Sequence, residues 1–146
     1  MASSICDKLR DGVVTRSAEA SRQVAAELAG ALPSDTVWAH HGAVGVGKTT
    51  FVQGLAAGLG IKEPVTSPTF NLYTLHQGPR GKLLHLDAYR LEGGAQVEAL
   101  MLEDFLISPW LAAIEWPERI AGWLPEDAWH LDLGITQDDH HTIRLR

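Results

Sequence analysis

A nine-residue segment near the start of the chain limits its possible folds more than any other feature. The segment reads glycine, four variable residues and Gly-Lys-Thr-Thr, and it comprises Gly42, Ala43, Val44, Gly45, Val46, Gly47, Lys48, Thr49 and Thr50. The strand-like run Thr-Val-Trp-Ala at residues 36–39 precedes it, and a helix-forming run follows. A strand, this glycine pattern and a helix, in that order, are typical of a phosphate-binding P-loop. The sequence therefore predicts an α/β domain that binds a nucleotide.

The residue types of the segment match the chemistry of a polyphosphate. Gly42, Gly45 and Gly47 lack a Cβ, so the backbone can turn tightly and direct successive N–H groups at an anion. Lys48 brings a positive charge to the outer phosphates, and the Thr49 hydroxyl can ligate Mg²⁺. The helix that starts at Lys48 adds the positive end of its dipole. We expect this segment to bind the phosphates and the metal.

Length and composition narrow the remaining possibilities. The 146 residues suit one domain with a single core. No run approaches the roughly 18 apolar residues that span a bilayer, and the first residues lack an apolar signal segment. We therefore expect a cytoplasmic protein with no membrane segment. Cys6 is the only cysteine, which excludes an internal disulfide, and the net charge of −6 argues against a broad basic surface for nucleic acid.

The order of the predicted elements defines the fold class. The patterns predict poorly ordered residues 1–14, a helix over 17–32, a strand at 36–40, a helix from 48 to about 58, a hairpin of 71–76 and 82–90, a helix over 92–105, an apolar strand at 110–114 and a closing hairpin of 128–135 and 141–146. This order indicates an α/β fold, a P-loop NTPase-like three-layer sandwich. Its sheet should be mixed and mainly parallel, with an antiparallel hairpin. We expect residues 1–146 to form a single P-loop domain.

Two carboxylates are candidates for the metal and for catalysis. Asp87 follows the strand-like residues 83–86, and Glu115 follows the apolar residues 111–114, so each stands at the carboxyl end of a predicted strand. Ligands of such folds bind at these strand ends. An unpaired carboxylate is costly at the end of a fully buried strand, which favours Glu115 as the acid that faces a cation. Asp87 can bind the metal through water or orient the attacking water, so both acids remain candidates.

Three further features are weaker signals. Ser67-Pro68-Thr69 places two hydroxyls downstream of the P-loop helix, where NTPases often have a switch that senses the γ-phosphate. The same tripeptide is equally typical of an ordinary turn. The histidines do not have the spacing of a recognised metal site. Trp116 stands out among the tryptophans because it directly follows the second candidate acid.

The four segments that carry these features resemble the TsaE (YjeE) family of bacterial ATPases in order and spacing. They are residues 42–50, 67–70, 85–91 and 115–118, and the resemblance covers about residues 15–135. It implies a cytoplasmic ATPase that uses ATP and Mg²⁺ and is needed for the threonylcarbamoyladenosine modification of tRNAs that read codons beginning with A. It also implies that the protein acts with TsaD and TsaB, the threonylcarbamoyl-transferase complex, resets that complex by ATP hydrolysis, and meets tRNA only indirectly.

The resemblance also implies roles for individual residues. Lys48 and Thr49 would hold phosphate and Mg²⁺, Asp87 and Glu115 would serve the metal and the attacking water, Ser67 and Thr69 would belong to the switch loop, and Trp116 would lie beside the site. The catalytic residues would then be Lys48, Asp87 and Glu115.

Four positions depart from the family's pattern. Two of them, Leu86 and Ala88, replace the usual aromatic residue and leucine that flank the strand aspartate, which is tolerated core variation. Ala43 stands where the family usually has an aspartate, so any contact made by that acid is absent here. Met101 stands where a glycine is common in the later helix. A break in the helix at that point should therefore be weaker.

Other functions remain compatible with a P-loop. A small P-loop kinase shares the motif, although residues 62–82 are too short for an arginine-bearing lid plus a hairpin. A nucleotide-dependent binding module without useful hydrolysis would look the same in sequence. A GTPase is disfavoured because the chain has no Asn-Lys-X-Asp segment. For the ATPase, we expect ATP to order residues 67–70 and so create the surface that binds TsaD and TsaB.

Overall fold

The structure is a computed structural model that describes residues 2–31, 33–42, 47–66 and 72–146. Its helices are α1 (Ala2–Asp11), α2 (Ala18–Ala31), α3 (Lys48–Gly58) and α4 (Gly94–Ala99). Its strands are β1 (Val13–Thr15), β2 (Thr36–His41), β3 (Tyr73–Gly78), β4 (Gly81–Asp87), β5 (Trp110–Glu115), β6 (Trp129–Ile135) and β7 (His141–Leu145). Two 3-10 turns, Leu102–Asp104 and Pro117–Ile120, flank β5. Within these ranges, no helix has both the length and the apolar character needed to cross a membrane.

The seven strands form one mixed sheet in the order β1-β7-β6-β2-β5-β4-β3. The four central strands, β6, β2, β5 and β4, pair in parallel. The outer pairs β4–β3, β6–β7 and β7–β1 are antiparallel. Both predicted hairpins are therefore confirmed, and so is the mixed sheet. Parallel pairing prevails in the centre, whereas the described sheet as a whole has three pairings of each kind.

Both faces of the sheet are covered, which gives three layers. Because side chains alternate along a strand, β5 sends Leu111 and Ala113 into the core beneath α1, α2 and α3. The intervening residues Ala112 and Ile114 enter the opposite core, where α4 and both 3-10 turns contribute buried side chains. A parallel strand buried on both faces explains the continuous apolar run at 110–114.

Two glycines allow α3 to lie directly on α2. A Cβ on Gly54 would lie 2.4 Å from the backbone oxygen of Arg22, and one on Gly58 would lie 2.7 Å from that of Ala26. Glycine inside a helix costs roughly 0.5–1 kcal/mol relative to alanine, and this close contact is the reason to accept that cost. Since Lys48 begins α3, the contact also places the end of the P-loop relative to the sheet.

Met1 lies outside the described residues, and residues 2–14 differ from the prediction of poor order. They form α1 and β1, with Ile5 and Leu9 buried in the core under α2. β1 pairs with β7 through partners such as Val13 and Ile143. The sequence pattern missed β1 because its partner β7 lies more than 120 positions away, whereas a pattern in a short window reports only local periodicity. It missed α1 because the few apolar residues of this helix are buried against α2 and against the equally distant β7.

The predicted helix over 92–105 is also wrong as a single element. It is interrupted at Met101, whose φ of 53° and ψ of 44° are left-handed, between α4 and the turn Leu102–Asp104. The break brings Leu102 into the same core as Val97 and leaves Met101 58% exposed. The chain therefore breaks here without the glycine, because burial of Leu102 outweighs the strain of a left-handed residue that has a side chain.

We expect this strain to reverse the usual stability order of alanine and glycine variants at position 101. At an ordinary helical position alanine is more stabilising than glycine by about 1 kcal/mol. At a left-handed position the Cβ is unfavourable, so Met101→Gly should exceed Met101→Ala in free energy of unfolding by about 1 kcal/mol. Chemical denaturation of both variants measures the difference. The control is the same pair of substitutions, to glycine and to alanine, at Gln23, an exposed residue within α2, where the alanine variant should be the more stable. A more stable alanine variant at both positions would contradict the prediction.

Candidate functional site

The candidate site lies where the central parallel strands end. β2 runs through His40 and His41 to Gly42, the first residue of the P-loop segment, and α3 begins at Lys48. In the parallel register, His40 pairs with Glu115 on β5, and Glu115 pairs with Asp87 on β4. Paired residues of parallel strands point to the same face. This face carries α3, since the His40 ring meets the Phe51 ring edge-on with centroids 5.3 Å apart.

Lys48 connects the two ends of the P-loop segment. Its ammonium donates to the backbone oxygen of Gly42 at 2.8 Å and lies 4.4 Å from the ring centroid of Trp116. Gly47 immediately precedes it with a φ of 90°, a left-handed conformation that favours glycine. The Lys48 side chain is almost fully buried. The cation is thus held above the strand ends by the loop and by an aromatic ring.

Glu115 is a buried carboxylate on the same face. It is 5% exposed, and its Oε2 accepts a hydrogen bond from Nε2 of His85 on β4. Burial alone would raise the pKa of Glu115, but the hydrogen bond and charge of His85, with the nearby Lys48, hold it below its usual value. Glu115 is therefore ionised at neutral pH and is a fixed negative charge on the same face as Lys48.

Asp87 lies in a wetter setting. It is half-buried, and its Oδ1 accepts the backbone N–H of Tyr89 at 3.0 Å, which ends the strand in a turn. The Tyr89 ring packs against Trp116 with centroids 5.0 Å apart, and the Arg119 guanidinium lies 5.3 Å from the Tyr89 ring centroid. The two acids are neighbours in register but differ in burial and in partners, so the structure gives them different chemical character.

Trp116 is placed beside Lys48 by the way the chain leaves β5. Its φ of 57° is left-handed, and Pro117 begins a 3-10 turn directly after it. Proline cannot donate to a sheet ladder, so the strand ends at Glu115. This turn directs the indole towards α3, where it covers the ammonium of Lys48.

His40 is a site residue that the sequence analysis did not single out. The ring is fully buried, and neither nitrogen has a hydrogen-bond partner among the described residues. Burial lowers the pKa of His40 to about 3; Glu115 acts in the opposite direction, and the charges of His85 and Lys48 reinforce the lowering. His40 is therefore neutral. Its position directly after the apolar residues 37–39, one strand away from Glu115, was the available signal.

The residues present suit a magnesium nucleotide. Thr49 in the first turn of α3 offers a hydroxyl, Glu115 offers a carboxylate, and both are oxygen donors of the kind that Mg²⁺ takes together with phosphate oxygens. Within the described ranges, no group of three or more histidine, cysteine or acidic side chains is arranged to hold a metal ion.

The residues of this site lie within a segment that matches a known protein family. The family described as "Threonylcarbamoyl adenosine biosynthesis protein TsaE" matches residues 15–144. The chain belongs to the TsaE family. It is thus a member of a family of tRNA threonylcarbamoyladenosine biosynthesis proteins, as its sequence motifs indicated.

Individual TsaE relatives align over most of the chain. The protein named tRNA threonylcarbamoyladenosine biosynthesis protein TsaE in Treponema pallidum (strain Nichols) is 36% identical over 132 residues, which are 90% of this chain and 97% of that protein. The protein of the same name in Streptomyces coelicolor is 39% identical over 131 residues, 84% of this chain and 88% of that protein. The crystal structure of Bacillus subtilis YdiB superposes with a TM-score of 0.76 at 27% identity, over 92% of this chain and 82% of that chain. This likeness confirms the predicted fold.

The TsaE motifs meet at this site as far as the structure describes them. Gly42, Gly47, Lys48, Thr49 and Thr50 belong to the ends of the P-loop segment and the start of α3, and Asp87, Glu115 and Trp116 lie at the neighbouring strand ends. Ala43, Val44, Gly45, Val46, Ser67 and Thr69 lie outside the described residues. What the sequence predicts for those six residues stays a prediction.

Loss of the His40 ring should make the folded protein less sensitive to acid. The pKa of His40 is about 3 in the folded protein against an ordinary 6.5, so between these values the unfolded chain binds more protons. The free energy of unfolding therefore declines as the pH falls through this window, by up to about 1.4 kcal/mol per pH unit from this group. We expect wild type to lose about 2 kcal/mol more than His40→Leu between pH 7 and pH 5.

Urea denaturation at pH 7, 6 and 5, without nucleotide and with EDTA, measures this difference. His140→Leu, in the turn between β6 and β7, controls for the loss of a histidine elsewhere and should keep the decline of wild type. If His40→Leu and wild type lost stability in parallel, His40 would not be a buried neutral histidine.

Proposed function

We propose that this TsaE-family protein binds ATP with Mg²⁺ and hydrolyses it in support of tRNA threonylcarbamoyladenosine biosynthesis. One observation carries the proposal. An ionised, buried Glu115 stands on the face of α3, in register with Asp87, at the strand ends that meet Lys48 and the P-loop pattern. A buried negative charge opposite a phosphate-binding loop has a physical reason to exist when a divalent cation lies between the two.

In this proposal each residue does one chemical task. Lys48 exchanges the Gly42 oxygen for phosphate oxygens, which is a gain because charge-assisted bonds to phosphate are stronger than a bond to a neutral carbonyl. The N-terminus of α3 adds its N–H groups and dipole. Thr49 and Glu115 would hold Mg²⁺, whose charge neutralises the phosphates during transfer. Asp87, half-exposed, would hold a water molecule for attack or a water ligand of the metal.

Hydrolysis should separate from nucleotide binding when the acids are changed. Glu115→Gln keeps the shape of the side chain but loses the charge, so we expect ADP binding to persist while ATP turnover falls about 100-fold or more. Asp87→Asn should lower turnover as well if both acids serve the reaction. Titration calorimetry with ADP and a phosphate-release assay measure the two properties, and Lys48→Met is the control that should lose binding itself.

The outcome distinguishes the competing functions. Full turnover in Glu115→Gln would contradict the assignment, and full turnover in Asp87→Asn alone would make Asp87 a structural acid. Binding without turnover in wild type, with or without partners, would favour a nucleotide-dependent binding module. Phosphorylation of a metabolite by the purified chain would instead favour a small kinase.

We further propose that the protein acts with TsaD and TsaB and that its nucleotide controls this association. The family's place in tRNA threonylcarbamoyladenosine biosynthesis supports the choice of partners. The net charge of −6 favours direct contact with proteins over direct contact with the negatively charged tRNA.

We expect the TsaD–TsaB pair to bind about tenfold more tightly with a non-hydrolysable ATP analogue than with ADP. A tenfold change requires about 1.4 kcal/mol of differential contact, which a few reordered residues can supply. Biolayer interferometry with immobilised TsaD–TsaB measures both affinities. Lys48→Met should abolish the difference, and equal affinities in wild type would refute nucleotide control.

A further inference from the structure

His85 is buried beneath the candidate site and makes one polar contact. The side chain is fully buried in β4, and its Nε2 donates to Oε2 of Glu115 on the neighbouring parallel strand. Its Nδ1 is also buried and has no hydrogen-bond partner among the described residues. Its register partner on β5 is Ala113, a small apolar residue.

The position does not require a polar side chain for packing. The neighbours of His85 on the same face of the sheet, Leu83 and Ala113, are fully buried and apolar, and an apolar residue at 85 would avoid burying two ring nitrogens. Burying an imidazole with one unpaired nitrogen costs free energy. The hydrogen bond to Glu115 offsets this cost, and Glu115 is the carboxylate that we assign to the metal. The reason for a histidine at this position is therefore its contact with Glu115, because packing in the core does not require one.

The hydrogen bond restricts what the Glu115 carboxylate can do. An ionised carboxylate only accepts, so the shared proton lies on Nε2 of His85 and the donor direction is set. A glutamate has three rotatable side-chain bonds, and anchoring Oε2 to a neighbouring strand removes most of that freedom. Oε1 is the oxygen that His85 does not engage, and it is the one a metal or a water molecule can use.

We propose that His85 is a positioning residue, which holds Glu115 in the orientation that binds the Mg²⁺ of a bound nucleotide. The inference rests on the proposed nucleotide function but assigns a residue that this function does not itself require. His85 acts through Glu115 and does not touch the nucleotide. Partners that orient a metal-binding side chain typically contribute about 10–100-fold to metal affinity or activity.

The test compares two variants of equal length that differ in one donor. His85→Gln keeps an N–H group that can reach Glu115, whereas His85→Met has the same chain length and no donor. Calorimetry with ADP, in Mg²⁺ and in EDTA, gives the gain in affinity that the metal provides, and steady-state kinetics give kcat and KM for ATP. The matched control is His76→Met, because His76 is also a buried histidine bonded to a glutamate, Glu63, but on β3.

In His85→Met, we expect the increase in ADP affinity that Mg²⁺ provides to be about tenfold smaller than in wild type, and kcat to be about tenfold lower. The affinity for ADP without metal should be unchanged. His85→Gln should recover most of both, and His76→Met should behave as wild type. In a Glu115→Gln background, His85→Met should have no further effect on the gain, because the group that it positions is gone.

Three outcomes would overturn the inference. The first is that His85→Met folds and Mg²⁺ increases its ADP affinity as much as in wild type. The second is that His85→Gln and His85→Met lose equal amounts of this increase and of kcat. The third is that His85→Met reduces the increase as strongly in the Glu115→Gln background as in wild type. If His85→Met does not fold, His85→Asn replaces it, since its amide is too short to reach Glu115. Absence of any magnesium-dependent gain in wild type would instead count against the proposed function itself.

Discussion

An ionised carboxylate buried at the strand ends, on the face that α3 covers, is the constraint on which the rest of this site depends. Removing the charge of Glu115 from water costs several kcal/mol unless hydrogen bonds and opposite charges compensate. Compensation comes from His85 on β4 and Lys48 on α3. The two groups come from distant parts of the chain and meet only because β4 and β5 are parallel and in one register, with α3 covering that face. The sheet thus serves the site chiefly by bringing three strand ends to one edge.

Much of the framework follows from local sequence patterns. The P-loop segment predicts β2 and α3 because glycines and a lysine at this spacing have few other uses. The hairpin turns predict β3, β4, β6 and β7, and the apolar run before Glu115 predicts β5. Asp87 and Glu115 were recognisable as strand-end acids for the same reason. These features are legible because each depends on residues close together in the chain.

The features that were missed depend on distant residues. α1 and β1 are stabilised by the core under α2 and by β7, which no short window contains. The left-handed Met101 reflects burial of Leu102 in the core on the face of the sheet opposite α3, which helical periodicity along the segment does not reveal. The bond between His85 and Glu115 requires the register of β4 against β5, and sequence pattern alone does not specify register between strands that are not joined by a short turn. The sequence therefore predicted which acids stand at the strand ends, but not the neighbouring side chain that binds Glu115.

The pairing of β1 with β7 has a consequence for how the protein is made. β1 ends at Thr15, whereas its partner begins at His141, and β2, which leads into the P-loop, is bordered by β6 on one side. A ribosome must therefore release residues 129–135 before β6 can border β2, and residues 141–145 before β7 can pair with β1. Loop closure over such separations is slow, and the apolar strand edges stay uncovered meanwhile. The residues assigned to the candidate site end at Trp116, so the nascent chain contains all of them before β6, which borders β2, and β7, which pairs with β1, have been made.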